Sequence, residues 1–477
     1  MNTIKLNHYC CEEMKPVTGV LLLILFFISG CKKESFITSP DAQMSFSADT
    51  LFYDTVFTSA GSITKFVRIY NNNDQKLRLS SVDLGGGLNS QFKINVDGLP
   101  GPASDLEIAA NDSMYVFITV QVNPGAANIP FVIQDSLRIS FNNTEKFVQL
   151  QAWGQNAHFI RNHVVTGNEI WTNDKPYVIL DGLLVNKNAR LTIEKGSRLY
   201  FHADAPLLVD GTLEVKGEKY DSLRVRFRSD RLDEPYRYFP GGWPGIYFRS
   251  DSHDNTMEFA VISNAFQGVV VDQPSGNANP KLILNESIIE NCFDAGLIAI
   301  RSDISAKNTL IANCGKNMII AFGGRYDFTH VTNVAYSNSF ITHKDPVLSI
   351  TNVFEDGSAV FTADCSASFK NCIFWGDDGL VKEEVIIRKE GTAPFLVNFT
   401  NSLWKVSGVP ANVTATAMIN NMDPQFNLIE TDKREYDFRL KQGSPAIGKG
   451  LATGTLIDLD GNPRKPLSPD AGAFEKQ

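Results

Sequence analysis

Ala260-Val-Ile-Ser-Asn264-Ala, Ser287-Ile-Ile-Glu-Asn291-Cys, Thr309-Leu-Ile-Ala-Asn313-Cys and His330-Val-Thr-Asn333-Val are four versions of one phrase. Each sets a branched apolar residue two places before an Asn and a small or apolar residue after it. The Asn-to-Asn steps are 27, 22 and 20 residues, and further copies stand at Phe369-Lys-Asn371-Cys372 and Phe399-Thr-Asn401-Ser402. A period of about 20–25 residues is the mark of stacked structural repeats. The units are β-branched with polar joints, and no helical spacing persists between them. Asn suits a corner because it tolerates left-handed backbone angles and its amide bonds nearby backbone groups. Stacked coil on coil, such amides can also bond one another. The stretch predicts a parallel β-helix.

The same rhythm runs upstream. Leu183-Leu-Val185, Leu191-Thr-Ile193, Leu199-Tyr-Phe201, Leu207-Leu-Val209, Leu213-Glu-Val215 and Leu223-Arg-Val-Arg-Phe227 are short strands between turns that hold Gly182, Gly196, Gly211 and Gly217. Three short strands per coil give roughly ten to twelve coils at about 4.8 Å each. The solenoid is assigned to 160–440, with coils counted from 177 after a connector, and 441–477 is expected to cover its end, since terminal coils need covers. Residues 45–155 read differently, as alternating strands such as Lys65–Tyr70, Ser113–Val122 and Asp135–Phe141. Turn clusters at Asn71–Asp74 and Asn142–Glu145 separate them. That pattern predicts a β-sandwich.

Residues 1–30 carry Lys5 and Lys15, then the apolar run Val20–Ile28, and Ile28-Ser29-Gly30-Cys31 follows. Nine apolar residues are too few to span about 30 Å of hydrocarbon, so this is a signal peptide rather than an anchor. Residues 31–44 read as a tether. The net charge of −9 excludes general nucleic-acid binding, and 43% hydrophobic with 10% aromatic residues fits a folded body. Cys292 and Cys314 take the same place in successive coils. With Cys365 and Cys372 they are expected as free core thiols, a disulfide being the alternative.

Several of these stretches carry resemblances. Ile28–Cys31 resembles the lipobox of bacterial lipoproteins, which implies a lipid on Cys31 and a membrane tether. Lys32 in place of Asp implies the outer membrane, facing either the periplasm or the exterior. Residues 45–155 resemble Ig-like domains of the abnormal-spindle/hydin type, by strand pattern alone. The Asn phrases, Gly211-Thr-Leu-Glu-Val-Lys-Gly217 and Gly241-Gly-Trp243-Pro-Gly-Ile246 resemble the right-handed parallel β-helix, or pectate-lyase-like, superfamily. So do Gly443-Ser-Pro-Ala-Ile447, Asp458-Leu-Asp460-Gly-Asn-Pro463-Arg464 and Pro469–Glu475, which look like its closing module. The resemblance covers about 160–477. It implies fold far more than activity, because one scaffold hosts many functions.

Arg224, Arg226 and Arg228 alternate with Val225 and Phe227 and so share an outward face. The adjoining insertion Pro235–Trp243 gathers aromatics, and flat rings with polar handles suit sugar faces. Arg224, Arg226, Arg228, Tyr236, Tyr238 and Trp243 are therefore the candidate ligand-binding residues. Asp458 and Asp460 are weak calcium candidates, because the later ligands of a calcium loop are missing; the expected use of Asp458 or Asp470 is pairing with Arg464. No cofactor is otherwise implied. Asp377-Asp378 has no accompanying hydrolase motif, and no nucleophile elbow or phosphate loop occurs. No catalytic residue is assigned. The sequence favours a non-catalytic, lipid-anchored envelope protein that binds glycan or an envelope protein partner, with a lyase or hydrolase of uronate-rich glycans as the alternative.

Overall fold

Backbone pairing turns the repeat into a solenoid. The computed structural model describes residues 35–57, 62–123 and 131–477, so Cys31 and the signal segment lie outside the described residues. One body holds the bulk of 152–477, and in it twenty-six strands form a continuous parallel sheet. Each coil contributes a strand to three ladders. Ala260–Ser263, Gln267–Asp272 and Leu282–Asn285 make up one such coil. The first ladder has eleven rungs among the described residues, from the coil of His158 to that of Ile419–Asn420. The stretch before Pro176, expected as a connector, already forms the opening coil: His158–Arg161 pairs in parallel with Tyr177–Leu180.

Two columns of left-handed corners bracket the first ladder. Where the third ladder turns into it stand Phe259, Glu286, Asn308, His330, Asn371 and Asn401, with φ between 45° and 56°. Each donates its backbone N–H to the residue before the next corner, as Asn308 does to Thr329 O at 3.1 Å and Asn371 to Thr400 O at 3.0 Å. The exit column holds Asn264, Asn291 and Asn313. The Asn phrases thus mix two different corners. Asn333 belongs to neither, because register pairs it with Ile311 and turns it inward. There Asn317 Nδ2 donates to its Oδ1 at 2.9 Å, and its own amide donates to Val347 O at 2.8 Å. In its phrase the corner is His330. Cys292, Cys314, Cys365 and Cys372 are free and buried.

The coil interior is otherwise apolar, with Leu199, Phe227, Ile262, Ile289 and Ile311 on successive rungs, then Asn333, then Phe374 and Trp404. A second core lies outside the coils. In the first ladder the outward residues Leu310, Val334, Ile373, Trp375 and Leu403 are also buried. They are covered by the hairpin Phe426–Glu430/Glu435–Leu440 and by Ala446, Leu459, Ala471, Ala473 and Phe474.

Residues 441–477 therefore run back along the side of the solenoid instead of closing its end. Asn401 donates to Lys449 O, Asn371 to Leu451 O, and Arg224 to Leu459 O. Arg464 is the buried pin of this strap. It pairs with Glu475 at 3.2 Å, not with Asp458 or Asp470, and donates to Asn308 Oδ1 at 2.8 Å. Asp458 spends its oxygens on the N–H groups of Asp460, Asn462 and Glu475.

The other body, built from 35–52, 62–121 and 134–151, contributes strands to a six-stranded and a five-stranded sheet. Each has one apolar face, carried by Leu77, Leu79, Leu137 and Ile139 in one and by Val67, Ile69, Val116 and Ile118 in the other. Phe36–Ile37, placed in the expected tether, already pairs with Lys76–Leu77 as an edge strand.

Acid should loosen the strap. His330 is buried beneath it and accepts a hydrogen bond from Asn371 at 3.0 Å; burial, with the positive charge of Arg464, pulls its pKa down to about 3. Only the unfolded chain then binds the proton between pH 6.5 and 3, so stability is lost as pH falls through that window. The loss should reach about 2 kcal/mol at pH 5. Urea unfolding at pH 7.5 and pH 5 measures it. His330→Gln should show a smaller drop than the parent, whereas equal drops would contradict this role for His330.

Candidate functional site

Register decides what stands on the outward face of the first ladder. One row reads Tyr200, Arg228, Ser263, Glu290, Ala312, Val334, Trp375: each pairs with the next across adjacent coils, save that Arg228 and Ser263 stand one residue past the pair Phe227–Ile262. From Ala312 onward the row is apolar and lies beneath the strap. Before it, Arg228, Ser263 and Glu290 are polar. Of these, Glu290 lines a groove between the insertion after Ser229 and the tip of the hairpin Phe426–Leu440.

The corner Asn residues fix one wall of that groove. Asn264 Nδ2 donates to Arg237 O and Asn291 Nδ2 to Tyr238 O, both at 2.8 Å. Asn291 also donates to Asn264 Oδ1 at 2.9 Å, so the two amides form a ladder. The repeat thereby holds the loop that interrupts it. Tyr236 and Tyr238 remain 44% and 41% exposed, and the Arg231 guanidinium lies 4.0 Å from the Tyr236 ring centre. The other wall is Arg434, whose guanidinium sits 4.8 Å from the Tyr238 ring and 4.4 Å from that of Phe340. Tyr238, Asn264, Glu290, Asn291, Arg434 and Tyr436 enclose about 160 Å³, and an adjoining cavity of about 300 Å³ shares Glu290, Arg434 and Tyr436.

Glu290 is the group that sequence reasoning missed. No hydrogen bond or ion pair engages its carboxylate among the described residues. Burial raises its pKa, and Arg226 and Arg228 only partly offset that. Burial likewise lowers the pKa of Arg228, whose one side-chain hydrogen bond goes to Arg237 O at 3.3 Å while its Nε has no partner. A perturbed carboxylate in a cleft, with carboxamides and tyrosines converging on it, is the usual physical signature of a ligand site. The signal was present in the sequence, for Glu290 breaks a row otherwise Ala312, Val334 and Trp375 downstream.

The other candidates separate. Arg226 pairs with Asp221 at the groove edge. Arg224 is buried, donating to Glu286 O and Leu459 O, and serves to dock the strap rather than a ligand. Trp243 is also removed from solvent: it stacks on Phe201 at 4.3 Å inside the coil and donates Nε1–H to Ser263 O at 3.0 Å. An apolar ring at the mouth of a wide corner lowers the free energy more by sealing the core than by facing water. Asp460, weighed for calcium, accepts from Arg439 at 2.9 Å. No cluster of three or more potential metal ligands occurs among the described residues.

Glycoside hydrolysis needs two cooperating carboxyl groups. Around the groove Asp221, Asp437 and Asp460 are each paired with Arg, leaving Glu290 as the one unpaired carboxylate lining these two cavities among the described residues.

No protein-family model and no curated protein matches the sequence. Among solved structures, the chain is similar to the catalytic unit of a thermostable GH87 α-1,3-glucanase from Streptomyces thermodiastaticus strain HF3-3. That likeness has 13% identity, covers 74% of this chain and 89% of the other, and has a TM-score of 0.22. A family 123 glycoside hydrolase from Clostridium perfringens is similar at 9% identity over 25% of this chain and 30% of its own, with a TM-score of 0.19. A Salmonella enterica SafA pilin–SafB chaperone complex is similar at 9% identity over 25% of this chain and 57% of the other, with a TM-score of 0.17. The chain thus spans less than two thirds of the latter two. Similarity this slight carries no information on activity.

The two aromatic positions should respond differently to truncation. Trp243→Ala leaves a cavity in the coil and should cost about 3–5 kcal/mol, whereas Tyr238→Ala should stay within about 1 kcal/mol. Chemical denaturation distinguishes them; equal costs would contradict the assignment of Trp243 to the core and Tyr238 to the groove.

Proposed function

We propose that the protein binds glycan without turning it over, in the groove lined by Tyr238, Glu290 and Arg434, and that it is held at the cell envelope by a lipid on Cys31. The single observation that supports binding is the unpaired, half-buried Glu290 carboxylate set between Tyr238 and Arg434. A carboxylate there gains by accepting hydrogen bonds from sugar hydroxyls; corner carboxamides supply donors and acceptors around it, and guanidinium groups supply donors. The tyrosine rings offer apolar faces beside those polar groups. Removing one partner of a desolvated hydrogen bond costs about 1–3 kcal/mol. Glu290→Gln should therefore weaken oligosaccharide binding at this groove by about ten- to a hundred-fold in calorimetry while leaving the fold intact. Unchanged affinity for every oligosaccharide that the protein binds would remove the groove as a binding site.

A second reading as a hydrolase has one observation in its favour, since a carboxyl group with a raised pKa suits a general acid. The absence of a second unpaired carboxylate among the groove residues favours binding. Reducing-end release from neutral and uronate-rich polysaccharides distinguishes them: none is expected, and release abolished by Glu290→Gln would establish the hydrolase.

The anchor rests on the Ile28-Ser-Gly-Cys31 motif. More than one acyl chain is needed for firm attachment. Cys31→Ser should move the protein from membrane to soluble fractions, and unchanged fractionation would exclude lipidation there as the tether.

A further inference from the structure

A hairpin that contributes nothing to the coils marks a second site. Val353–Asp356 and Ala359–Thr362 are inserted between a second-ladder strand and a third-ladder strand, and they pair only with each other. An isolated two-stranded ribbon is marginal by itself. This one nevertheless leaves its paired rings Phe354 and Phe361 exposed, at 51% and 49%. Phe354 continues into Phe322, 5.6 Å away between ring centres, and the Arg301 guanidinium lies 5.4 Å from the Phe322 ring. Rings that neither fill the coil interior nor pair the hairpin to a larger sheet are available for a ligand.

Phe322 and Phe361, both backed by Phe354, wall an open groove of about 650 Å³ on the outward face of the third ladder. Its floor is the registered row Asp303, Arg325, Ser366, Leu396. The opposite rim is the insertion 273–281, held in place at both ends. Ser275 donates its N–H to Asp303, and buried Lys281 donates to the carbonyls of Arg249, Ser250 and Asp272 at 2.8–2.9 Å. Asp303 also takes Arg325 in a two-point ion pair at 2.9 and 3.2 Å.

The charges in this groove cancel: Arg301 and Arg325 stand against Asp303 and Asp364. Such a surface gives an anionic chain no net attraction, while aromatic faces beside hydrogen-bonding groups match the two sides of a pyranose ring. We infer that the groove beside the 353–362 hairpin binds an uncharged oligosaccharide, independently of the groove at Glu290. A solenoid with sites on two of its three faces would hold two glycan strands at once.

The test is calorimetry with a neutral glucan hexamer and a polyuronate hexamer on the full chain, its Phe354→Ala/Phe361→Ala double variant and its Glu290→Gln variant. Both rings are exposed, so the double variant should fold. The neutral hexamer should bind the Glu290→Gln protein, and the double substitution should weaken its binding at least ten-fold. Amide exchange across 353–362 should slow when that hexamer is added to the unsubstituted protein. Neutral binding lost with Glu290→Gln but kept in the double variant would overturn the second site without touching the first. Preference for the polyuronate at the hairpin, or absence of neutral binding and of exchange protection, would overturn it as well.

Discussion

In-register parallel stacking of coils is the constraint on which everything else in the solenoid depends. Strands about 4.8 Å apart, paired residue for residue, place every side chain in a row that runs the length of the body. A row can change character only where the chain supplies a different cover. Leu310, Val334, Ile373 and Leu403 are apolar on an outward face because the strap of 426–477 lies on them. Where the strap's hairpin ends, the same face turns polar, and Arg228, Ser263 and Glu290 stand in line. Scaffold and candidate site are thus two stretches of one ladder.

The corners follow from the same stacking. A coil must reverse within one residue, and the left-handed backbone that does so favours Asn among non-glycine residues. Asn264 and Asn291 add a use beyond this geometry. Their amides, bonded to each other and to the carbonyls of Arg237 and Tyr238, hold the interrupting loop against the groove. A repeat of this kind fixes the position of what breaks it.

The all-β class and the parallel solenoid were legible in the sequence, because period and alternation express them locally. The edge containing the groove was legible too, from the alternation of Arg224, Arg226 and Arg228 and from the aromatic insertion. Individual roles were not, for they depend on partners far along the chain. Arg224 is buried only because Leu459 arrives from the opposite end of the body, and Trp243 turns inward to stack on Phe201 of the preceding coil. Asn333 shares a phrase with Asn313 yet lies two residues out of register with it, a shift that short degenerate repeats do not reveal. The strap's path along the side was equally hidden, since its contacts with Asn308, Asn371 and Asn401 are with residues that any corner would use.

Glu290 and Arg228 stand two rungs apart in their row with Ser263 between them, each drawn partly out of water and neither neutralised by direct contact. Leaving the Glu290 carboxylate unmatched costs free energy that a ligand donating to it recovers. A crystal structure of the full chain soaked with its best-binding oligosaccharide measures this most directly. An intact glycan should lie beside Tyr238, with a hydroxyl donating to the Glu290 carboxylate. A cleaved glycosidic bond in that groove, or a groove left empty while sugar occupies another face, would contradict it.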